Sequence, residues 1–310
     1  MVGMESIRVR APASSANLGA GFDCFGLALE DPYDIVEVSI IRGSRMHLKI
    51  SVEGYPVPLE PERNTGGYVA LSMMRDFGLE DGIEIKIWKN IPPGSGLGSS
   101  AATASAVAYA IDKLYNLKLS QDKLIRYASL GEMVSAGTPH LDNVAPAILG
   151  GFTIIAGTPP KIYSFKPNDR LGVVVILPYT SKASTYEARK ILPTTISLSS
   201  AYRNVGYGSL TVLGLILGRV DLLRDGMRDE VVERIRASHG FAQLYDEVRR
   251  LAEELEVGIA LSGAGPAYIA ITYHERVKST AESFMKIFKE KGIGCRTYIT
   301  KVGRGVYEIT

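Results

Sequence analysis

The stretch IPPGSGLGSSAA, residues 91 to 102, decides the fold of this 310-residue chain because it joins a strand pattern to a helix pattern. It follows GIEIKIWKN and leads into a run over residues 100 to 115 that is rich in alanine. Gly94, Gly96 and Gly98 let the backbone adopt positive φ and approach a ligand without interference from a Cβ atom. The N-terminus of the following helix offers free N–H groups and a partial positive charge. The stretch therefore predicts a phosphate site, with a nucleotide phosphate as the expected ligand.

The stretch does not fully match any of three familiar phosphate-binding motifs. A P-loop requires a lysine, and none occurs between Ile91 and Tyr109. Gly96-x-Gly98-x-x-Ala101 matches a loose dinucleotide fingerprint, but the helix leads to NLKLSQDKL instead of a buried parallel strand with an acidic end. The H-R-D and D-F-G motifs of protein kinases are absent. A tight turn without a ligand is the remaining alternative, and the Pro-Pro lead-in and the paired serines weigh against it.

Composition narrows the function classes. The net charge of +2 is spread along the chain without a basic block, so nucleic acid is not an expected partner. Cys24 and Cys295 alone make neither a zinc site nor a disulfide framework, and they fit a reducing cytoplasm. The N-terminus lacks an apolar signal core, and the longest apolar run, LTVLGLILG, spans about half a bilayer. A cytoplasmic protein that neither spans nor binds a membrane is expected.

Periodicity predicts an α+β chain. SIRVRAP, DIVEVSII, MHLKISVEG and IEIKIWK alternate with period two, which predicts a half-buried sheet. Ser120 is positioned as the N-cap of a helix over QDKLIRYASLGEMVSAG. Residues 157 to 170 have the composition of a linker, although a hairpin loop would look the same. The segment after residue 170 predicts helices, then two strands joined by a glycine turn, then a helix and a strand. This order is typical of a two-layer α+β structure.

Three glycine-rich segments together carry a family resemblance. PPGSGLGSSAA resembles the ATP-binding motif of the GHMP kinases, a superfamily of small-molecule kinases. APASSANLGAGFDCFGLAL, residues 11 to 29, resembles the first motif of the superfamily in its homoserine kinase form, and LSGAGPAYIAI, residues 261 to 271, resembles its third motif. PHLDNVAP and STYEARKILP are also similar to homoserine kinase segments. The resemblance covers essentially the whole chain.

The resemblance implies a two-domain α+β GHMP kinase fold. Residues 1–165 would form an N-terminal domain like ribosomal protein S5 domain 2, which binds ATP and Mg²⁺. Residues 166–310 would form a ferredoxin-like C-terminal domain. Some positions depart from the family pattern: Ser15 replaces a frequent Thr, and Ala264 and Ala267 replace a Ser and a Thr of the third motif. DEVVERIRASHG keeps only Asp229, Glu233 and Arg236 of the D-x-x-H-E-P-Y-R pattern.

Site residues follow from the resemblance as expectations. Ser100 and Glu132 would hold Mg²⁺, although by themselves they would be interpreted as a helix N-cap and a solvated helix face. The ATP site would comprise two segments of the chain, which are Pro92, Pro93, Gly94, Ser95, Gly96, Leu97, Gly98, Ser99 and Ser100 in the glycine loop and Gly263 and Gly265 in the third motif.

The expected acceptor is L-homoserine, which carries a carboxylate, an ammonium group and a hydroxyl. Arg189 and Arg236 would bind its carboxylate, because a guanidinium offers a planar bidentate fork. Asp23 and Asn17 would face its ammonium group. Asn143 would approach the hydroxyl, so Asn143 and Arg189 are the expected catalytic residues. His140 and Asp142 lie in the same loop, but neither is assigned as a general base, because homoserine kinases are thought to lack one and a loose transition state needs little deprotonation.

Two rival functions stay open from the sequence. Another acceptor specificity within the superfamily, such as a shikimate kinase, would share the glycine loop but lack an ammonium site, so Asp23 discriminates against it. A catalytically silent binding module on the same fold is the second rival, and Ser100, Glu132 and the three motifs argue against it. Homodimers are frequent in the family, so a homodimer is consistent with the resemblance.

Overall fold

The structure is a computed structural model that describes residues 4–44, 47–137, 139–180 and 185–310. The first of its two sheets has the order β11-β1-β2-β4-β3, and a hairpin of β5 and β6 attaches to β2. Its strands are β1 Met4–Asn17, β2 Gly21–Ile41, β3 Leu48–Gly54, β4 Gly82–Lys89, β5 Phe152–Ala156, β6 Lys161–Phe165 and β11 Tyr307–Ile309. SIRVRAP, DIVEVSII and IEIKIWK lie within β1, β2 and β4, so the prediction of strands is confirmed for them. β3 covers LKISVEG of the fourth segment, whose Met46 lies outside the described residues.

Helices cover this sheet and meet the glycine loop. They are α1 Thr65–Phe77, α2 Ser99–Leu114, α3 Gln121–Leu130, α4 Glu132–Ala136 and α5 Val144–Leu149. α2 is buried on most sides, and its alanines pack against the sheet and the neighbouring helices. Ser120 caps α3 by accepting a hydrogen bond from the Lys123 N–H, as predicted. The segment expected as one helix after Ser120 divides at Gly131 into α3 and α4.

The second sheet has the order β10-β7-β9-β8 and is antiparallel throughout. Its strands are β7 Leu171–Pro178, β8 Gly258–Leu261, β9 Tyr268–Tyr273 and β10 Cys295–Thr300, and the helices of this half are α6 Thr185–Lys190, α7 Leu198–Leu217, α8 Val220–Gly226, α9 Val232–Ser238, α10 Tyr245–Glu254 and α11 Val277–Glu290. Every residue of β7 is buried. α10 and α11 pack on one face of this sheet, and the side chains on the other face belong to the larger hydrophobic core, which includes residues of α8 and of the first sheet. The α+β class is confirmed.

The region around residues 157 to 170 is a hairpin rather than a free linker, since β6 pairs with β5. Near the other end of the chain, β11 pairs with β1 of the first sheet. The division into residues 1–165 and 166–310 stays a prediction, and the first sheet draws one strand from the second segment. Across the described part of the chain, no helix combines the length and the apolar character that crossing a membrane requires.

Candidate active site

The glycine-rich segments line a cavity of about 470 Å³. Its walls come from the end of β1, the glycine loop, α2, α4, the loop before α5, α6, α9 and the turn between β8 and β9. Every residue predicted for the site lines this cavity except Pro92. Pro92 lies behind the loop, where its carbonyl oxygen accepts a hydrogen bond from Ser95 Oγ at 2.6 Å.

The glycine loop has the backbone that its sequence predicts. Gly94, Gly96 and Gly98 all have positive φ, at 72°, 81° and 60°. A Cβ atom on Gly96 would lie 2.3 Å from the carbonyl oxygen of Ser262, so only glycine fits there. Gly98 is the N-cap residue of α2 and has no side chain to occupy the helix N-terminus. The first N–H groups of α2 are therefore open to an anion in the cavity.

Hydrogen bonds tie the loop to the other two glycine-rich motifs. The Ser14 N–H donates to the carbonyl oxygen of Leu97 at 3.1 Å, which joins the loop to β1. Ser262 Oγ lies 2.7 Å from the carbonyl oxygen of Gly96 and 2.8 Å from Ser15 Oγ. The serine that replaces the family's frequent threonine at position 15 thus keeps a hydroxyl contact. The three motifs form one hydrogen-bonded unit.

A buried ion pair is hydrogen-bonded to the backbone of the glycine loop. Lys89, at the end of β4, pairs with Asp34 of β2, and both side chains are almost fully buried. Lys89 Nζ also donates to the Ser99 carbonyl oxygen at 2.5 Å and to Thr103 Oγ1 at 2.8 Å. Burial lowers the pKa of Lys89, and the Asp34 charge opposes this shift. The second oxygen of Asp34 accepts the Ile91 N–H at 2.9 Å, so the pair holds both ends of the loop.

Ser100 and Glu132 face each other across the N-terminal end of α2. Ser100 Oγ donates to Glu132 Oε1 at 2.6 Å, and Glu132 is only 6% exposed. Burial raises the pKa of Glu132 to about 7, against the opposing effects of the Ser100 hydrogen bond and the Lys89 charge. The alternative interpretation, in which Glu132 lies on a solvated helix face, is therefore wrong. Hard oxygen donors of this kind suit Mg²⁺.

The described residues contain no cluster of three or more His, Cys, Asp or Glu side chains able to hold a metal. A cation held here would have Ser100 and Glu132 as its protein ligands and would complete its shell with phosphate oxygens and water. Mg²⁺ commonly binds in this way, through one or two carboxylates together with substrate phosphates. The residues present fit that ion.

Asp23 and Arg189 form a partly exposed ion pair in the wall of the cavity. Arg189 Nη1 donates to Asp23 Oδ1 at 3.1 Å, and Nη2 contacts the other carboxylate oxygen. Arg189 Nη1 also lies 3.0 Å from His140 Nε2. Arg189 belongs to α6, and Asp23 has a positive φ of 59° near the start of β2. The cavity therefore holds opposite charges side by side.

Arg236 provides a second guanidinium beside the first. It is 4% exposed, its Nη1 donates to the Gly263 carbonyl oxygen at 2.7 Å, and burial lowers its pKa. Its Nε is buried and has no hydrogen-bond partner within the described ranges. The Phe22 ring lies near both arginines, with its centroid 5.4 Å from the Cζ of Arg236 and 5.4 Å from the Cζ of Arg189. This arrangement suits a ligand with a carboxylate.

Two amide side chains, those of Asn17 and Asn143, also line the cavity. Asn17 Nδ2 donates to the Gly263 carbonyl oxygen at 3.1 Å, and its Oδ1 accepts the Asp23 N–H at 3.2 Å. Asn143 Oδ1 accepts a hydrogen bond from Ser14 Oγ at 3.0 Å, beside the glycine loop. Asp142 is buried next to Asn143, and burial, together with the charges of nearby carboxylates, raises its pKa to about 7.

Comparisons with known proteins agree with this geometry. The GHMP kinases N-terminal domain matches residues 65–151. The homoserine kinase of Methanococcus maripaludis is 44% identical over 308 residues, which is 98% of each chain. The crystal structure of homoserine kinase from Cytophaga hutchinsonii superposes with a TM-score of 0.90 at 32% identity, and the match covers 98% of this chain and 97% of that one.

The chain belongs to the homoserine kinase family. As a GHMP kinase it is an ATP-dependent phosphotransferase. A solved structure of MDDEF in complex with MVAPP, AMPPCP and magnesium superposes with a TM-score of 0.70 over 99% of both chains. Its identity of 15% indicates a shared fold alone.

Sequence reasoning missed several residues of this homoserine kinase family member. Lys89 occupies an inward position of IEIKIWK, where the period-two pattern has isoleucines, and that break was a usable signal. Asp34 gave no signal, because 55 residues separate it from Lys89. Phe22 lies inside the first motif, but only the fold shows that its ring lies near two arginines.

Proposed function

We propose that this protein transfers the γ-phosphoryl group of ATP to the side-chain hydroxyl of L-homoserine, giving ADP and O-phospho-L-homoserine, a step toward threonine. The observation that carries the proposal is the Asp23–Arg189 pair in the cavity that the glycine loop also lines. Adjacent opposite charges match the ammonium and carboxylate groups of an amino acid. Near full-length similarity to homoserine kinases supports the same acceptor.

At the nucleotide end, the backbone of Gly94 to Ser99 would cradle the phosphates of ATP. The N–H groups at the start of α2 point toward the anion, and the helix dipole favours negative charge there. Ser100 and Glu132 would hold Mg²⁺, which when bound would neutralise charge that develops on the phosphoryl oxygens. The buried Lys89–Asp34 pair would keep the loop in this shape, since Lys89 bonds the Ser99 carbonyl oxygen directly.

At the acceptor end, Arg189 and Arg236 would bind the carboxylate of homoserine, while Asp23 and Asn17 would face its ammonium group. A bound amino acid would replace the Asp23–Arg189 contact by two contacts of the same charge types, so no charge would be left unpaired. Arg236 Nε has no hydrogen-bond partner among the described residues, so it would give the carboxylate a further donor.

Asn143 would orient the hydroxyl for in-line attack, because it lies beside Gly98 of the glycine loop and lines the cavity that also holds the Asp23–Arg189 pair. The hydroxyl oxygen would form its bond to phosphorus as the bond to the ADP oxygen breaks. A loose transition state places little charge on the attacking oxygen, so its proton can leave late and a dedicated base is unnecessary. Positioning would therefore supply most of the catalysis.

The test is ADP release from ATP and Mg²⁺ with L-homoserine, shikimate or mevalonate in parallel. Arg189→Ala removes a charge-assisted contact to the acceptor, so the KM for homoserine should rise on the order of 10- to 100-fold while the KM for ATP changes little. Lys190→Ala is the matched control, because Lys190 is the neighbouring cation on α6 and does not line the cavity.

The other outcomes separate the rivals. Turnover of shikimate in place of homoserine would keep the kinase and discard this acceptor. ATP binding without turnover of any acceptor would support a silent module instead. A cytoplasmic location and a homodimer stay predictions here.

A further inference from the structure

Two guanidinium groups of like charge contact one aromatic ring in the wall of the cavity. The Cζ atoms of Arg189 on α6 and Arg236 on α9 each lie over the Phe22 ring, 5.4 Å from its centroid. All three residues line the cavity. Burial lowers the pKa of Arg236; the charge of Asp23 opposes this shift, whereas the charge of Arg189 adds to it. The two arginines therefore repel each other, and a neighbouring group that attracts cations offsets this repulsion.

The contact between Arg189 and the ring does not depend on Asp23. Arg189 bonds the Asp23 carboxylate through both of its Nη atoms, and its Nη1 also lies 3.0 Å from His140 Nε2. In the proposed function, the ammonium group of the acceptor takes over the Asp23 carboxylate. The attraction of the Arg189 cation to the Phe22 ring would persist after that exchange.

An aromatic ring attracts a cation without occupying its hydrogen-bond donors. A carboxylate in the place of Phe22 would pair with the guanidinium N–H groups, which are the donors that a ligand carboxylate needs. Arg236 keeps such a donor: its Nη1 donates to the Gly263 carbonyl oxygen at 2.7 Å, while its buried Nε has no partner in the described part of the chain. Phe22 therefore stabilises the two cations and leaves donors to the ligand.

The backbone at the start of β2 brings Phe22 into the cavity beside Asp23. Neighbouring residues of a regular strand point to opposite sides of the sheet. Asp23 has a positive φ of 59°, which breaks this alternation, and both residues line the cavity. The Asp23 N–H donates to Asn17 Oδ1 at 3.2 Å, which fixes this part of the chain. Left-handed backbone at a residue other than glycine costs free energy and concentrates at binding sites, so it favours a functional role for this arrangement.

We infer that Phe22 is a positioning residue for the carboxylate of the acceptor. Its ring holds Arg189 and Arg236 together where one carboxylate would bind both. Because the ring would act through the guanidinium groups, it should matter for an acceptor that carries a carboxylate and not for one in which that group is neutral. The inference rests on the proposed function and adds to it a residue that selects the acceptor by its carboxylate.

Steady-state kinetics of Phe22→Leu test this inference. Leucine keeps an apolar side chain but lacks the ring, so the KM for L-homoserine should rise about 5- to 30-fold through the loss of two cation–π contacts. The kcat and the KM for ATP should change less than about twofold, because the lost contacts concern the binding of the acceptor. Phe22→Tyr keeps the ring and should have a KM for L-homoserine within about threefold of the wild-type value.

L-Homoserinamide separates an effect on the guanidinium groups from a change of shape. It lacks the carboxylate, so its KM should be the same in wild type and Phe22→Leu; where its turnover is slow, its inhibition constant against L-homoserine replaces the KM. Phe25→Leu is the matched control from the same motif. The Phe25 ring packs on Phe152 with centroids 5.1 Å apart and lies outside the residues that line the cavity, so the KM for L-homoserine should not change.

Circular dichroism establishes that each variant is folded before its kinetics are interpreted. Absence of L-homoserine turnover in the wild-type chain would overturn the proposed function, and this inference with it. Where the wild type turns over L-homoserine, an unchanged KM in Phe22→Leu would overturn the inference alone. An equal effect of Phe22→Leu on L-homoserine and its amide, or a KM in Phe22→Tyr as high as in Phe22→Leu, would also overturn it, because the shape of the side chain would then be responsible.

Discussion

At the scale of single residues, Asp142 links burial to pH-dependent stability. Burial, with the charges of Asp23 and Glu132, raises the pKa of Asp142 to about 7, above its value of about 3.9 in an unfolded chain. The folded state therefore binds more protons than the unfolded state between these values. Stability falls as pH rises through that window, and the loss is complete above the folded-state pKa.

Asp142→Asn should remove this pH dependence. The stability of the variant relative to the wild type should therefore be higher at pH 8 than at pH 5, by on the order of 2 kcal/mol in the free energy of unfolding. Urea unfolding at both pH values measures the difference, and any constant cost of the new amide cancels. Glu254→Gln, at an exposed position of α10, is the control. An equal effect of Asp142→Asn at both pH values would contradict the raised pKa.

At the scale of elements, the glycine loop and the third motif constrain each other. Gly96→Ala would place its Cβ 2.3 Å from the Ser262 carbonyl oxygen and would force the two segments apart. We expect the KM for ATP to rise at least about 10-fold, because the N–H groups of the loop would no longer converge on the phosphates. Stability should fall by about 1–3 kcal/mol.

Gly78→Ala is the matched control for this prediction. Gly78 ends α1 with a positive φ of 61°, and a Cβ there would meet nothing within 4 Å. The control therefore has the backbone strain without the clash, and it should lose about 1 kcal/mol of stability with an unchanged KM for ATP. Equal KM values for ATP in the two variants would show that the close approach at Gly96 does not shape the nucleotide site.

At the scale of the whole molecule, local sequence patterns predict single helices and strands, but they do not predict contacts between residues far apart in the chain. β4 follows from its period-two pattern and α2 from its run of alanines, because each pattern is complete within one segment. α1 was missed, since its sequence begins TGG and glycine is a poor helix former. The Asp23–Arg189 pair joins positions 166 residues apart, so no window of sequence contains it. Only the family resemblance proposed both residues for one site, and it did not predict that they contact each other.

The C-terminal strand β11 belongs to the first sheet, although it lies in the second segment of the predicted division at residue 165. β11 pairs with β1 through Arg8 to Arg10, and Val306 is buried against the first unit, with its N–H bonded to the Ala147 carbonyl oxygen at 2.8 Å. Deletion of residues 304–310 should therefore destabilise the protein by about 2–3 kcal/mol, close to the value of one buried valine. Thermal unfolding measures this loss, with deletion of the exposed Thr310 alone as the control. If both deletions unfold at the same temperature, β11 contributes nothing, and residues 1–165 would be complete without it.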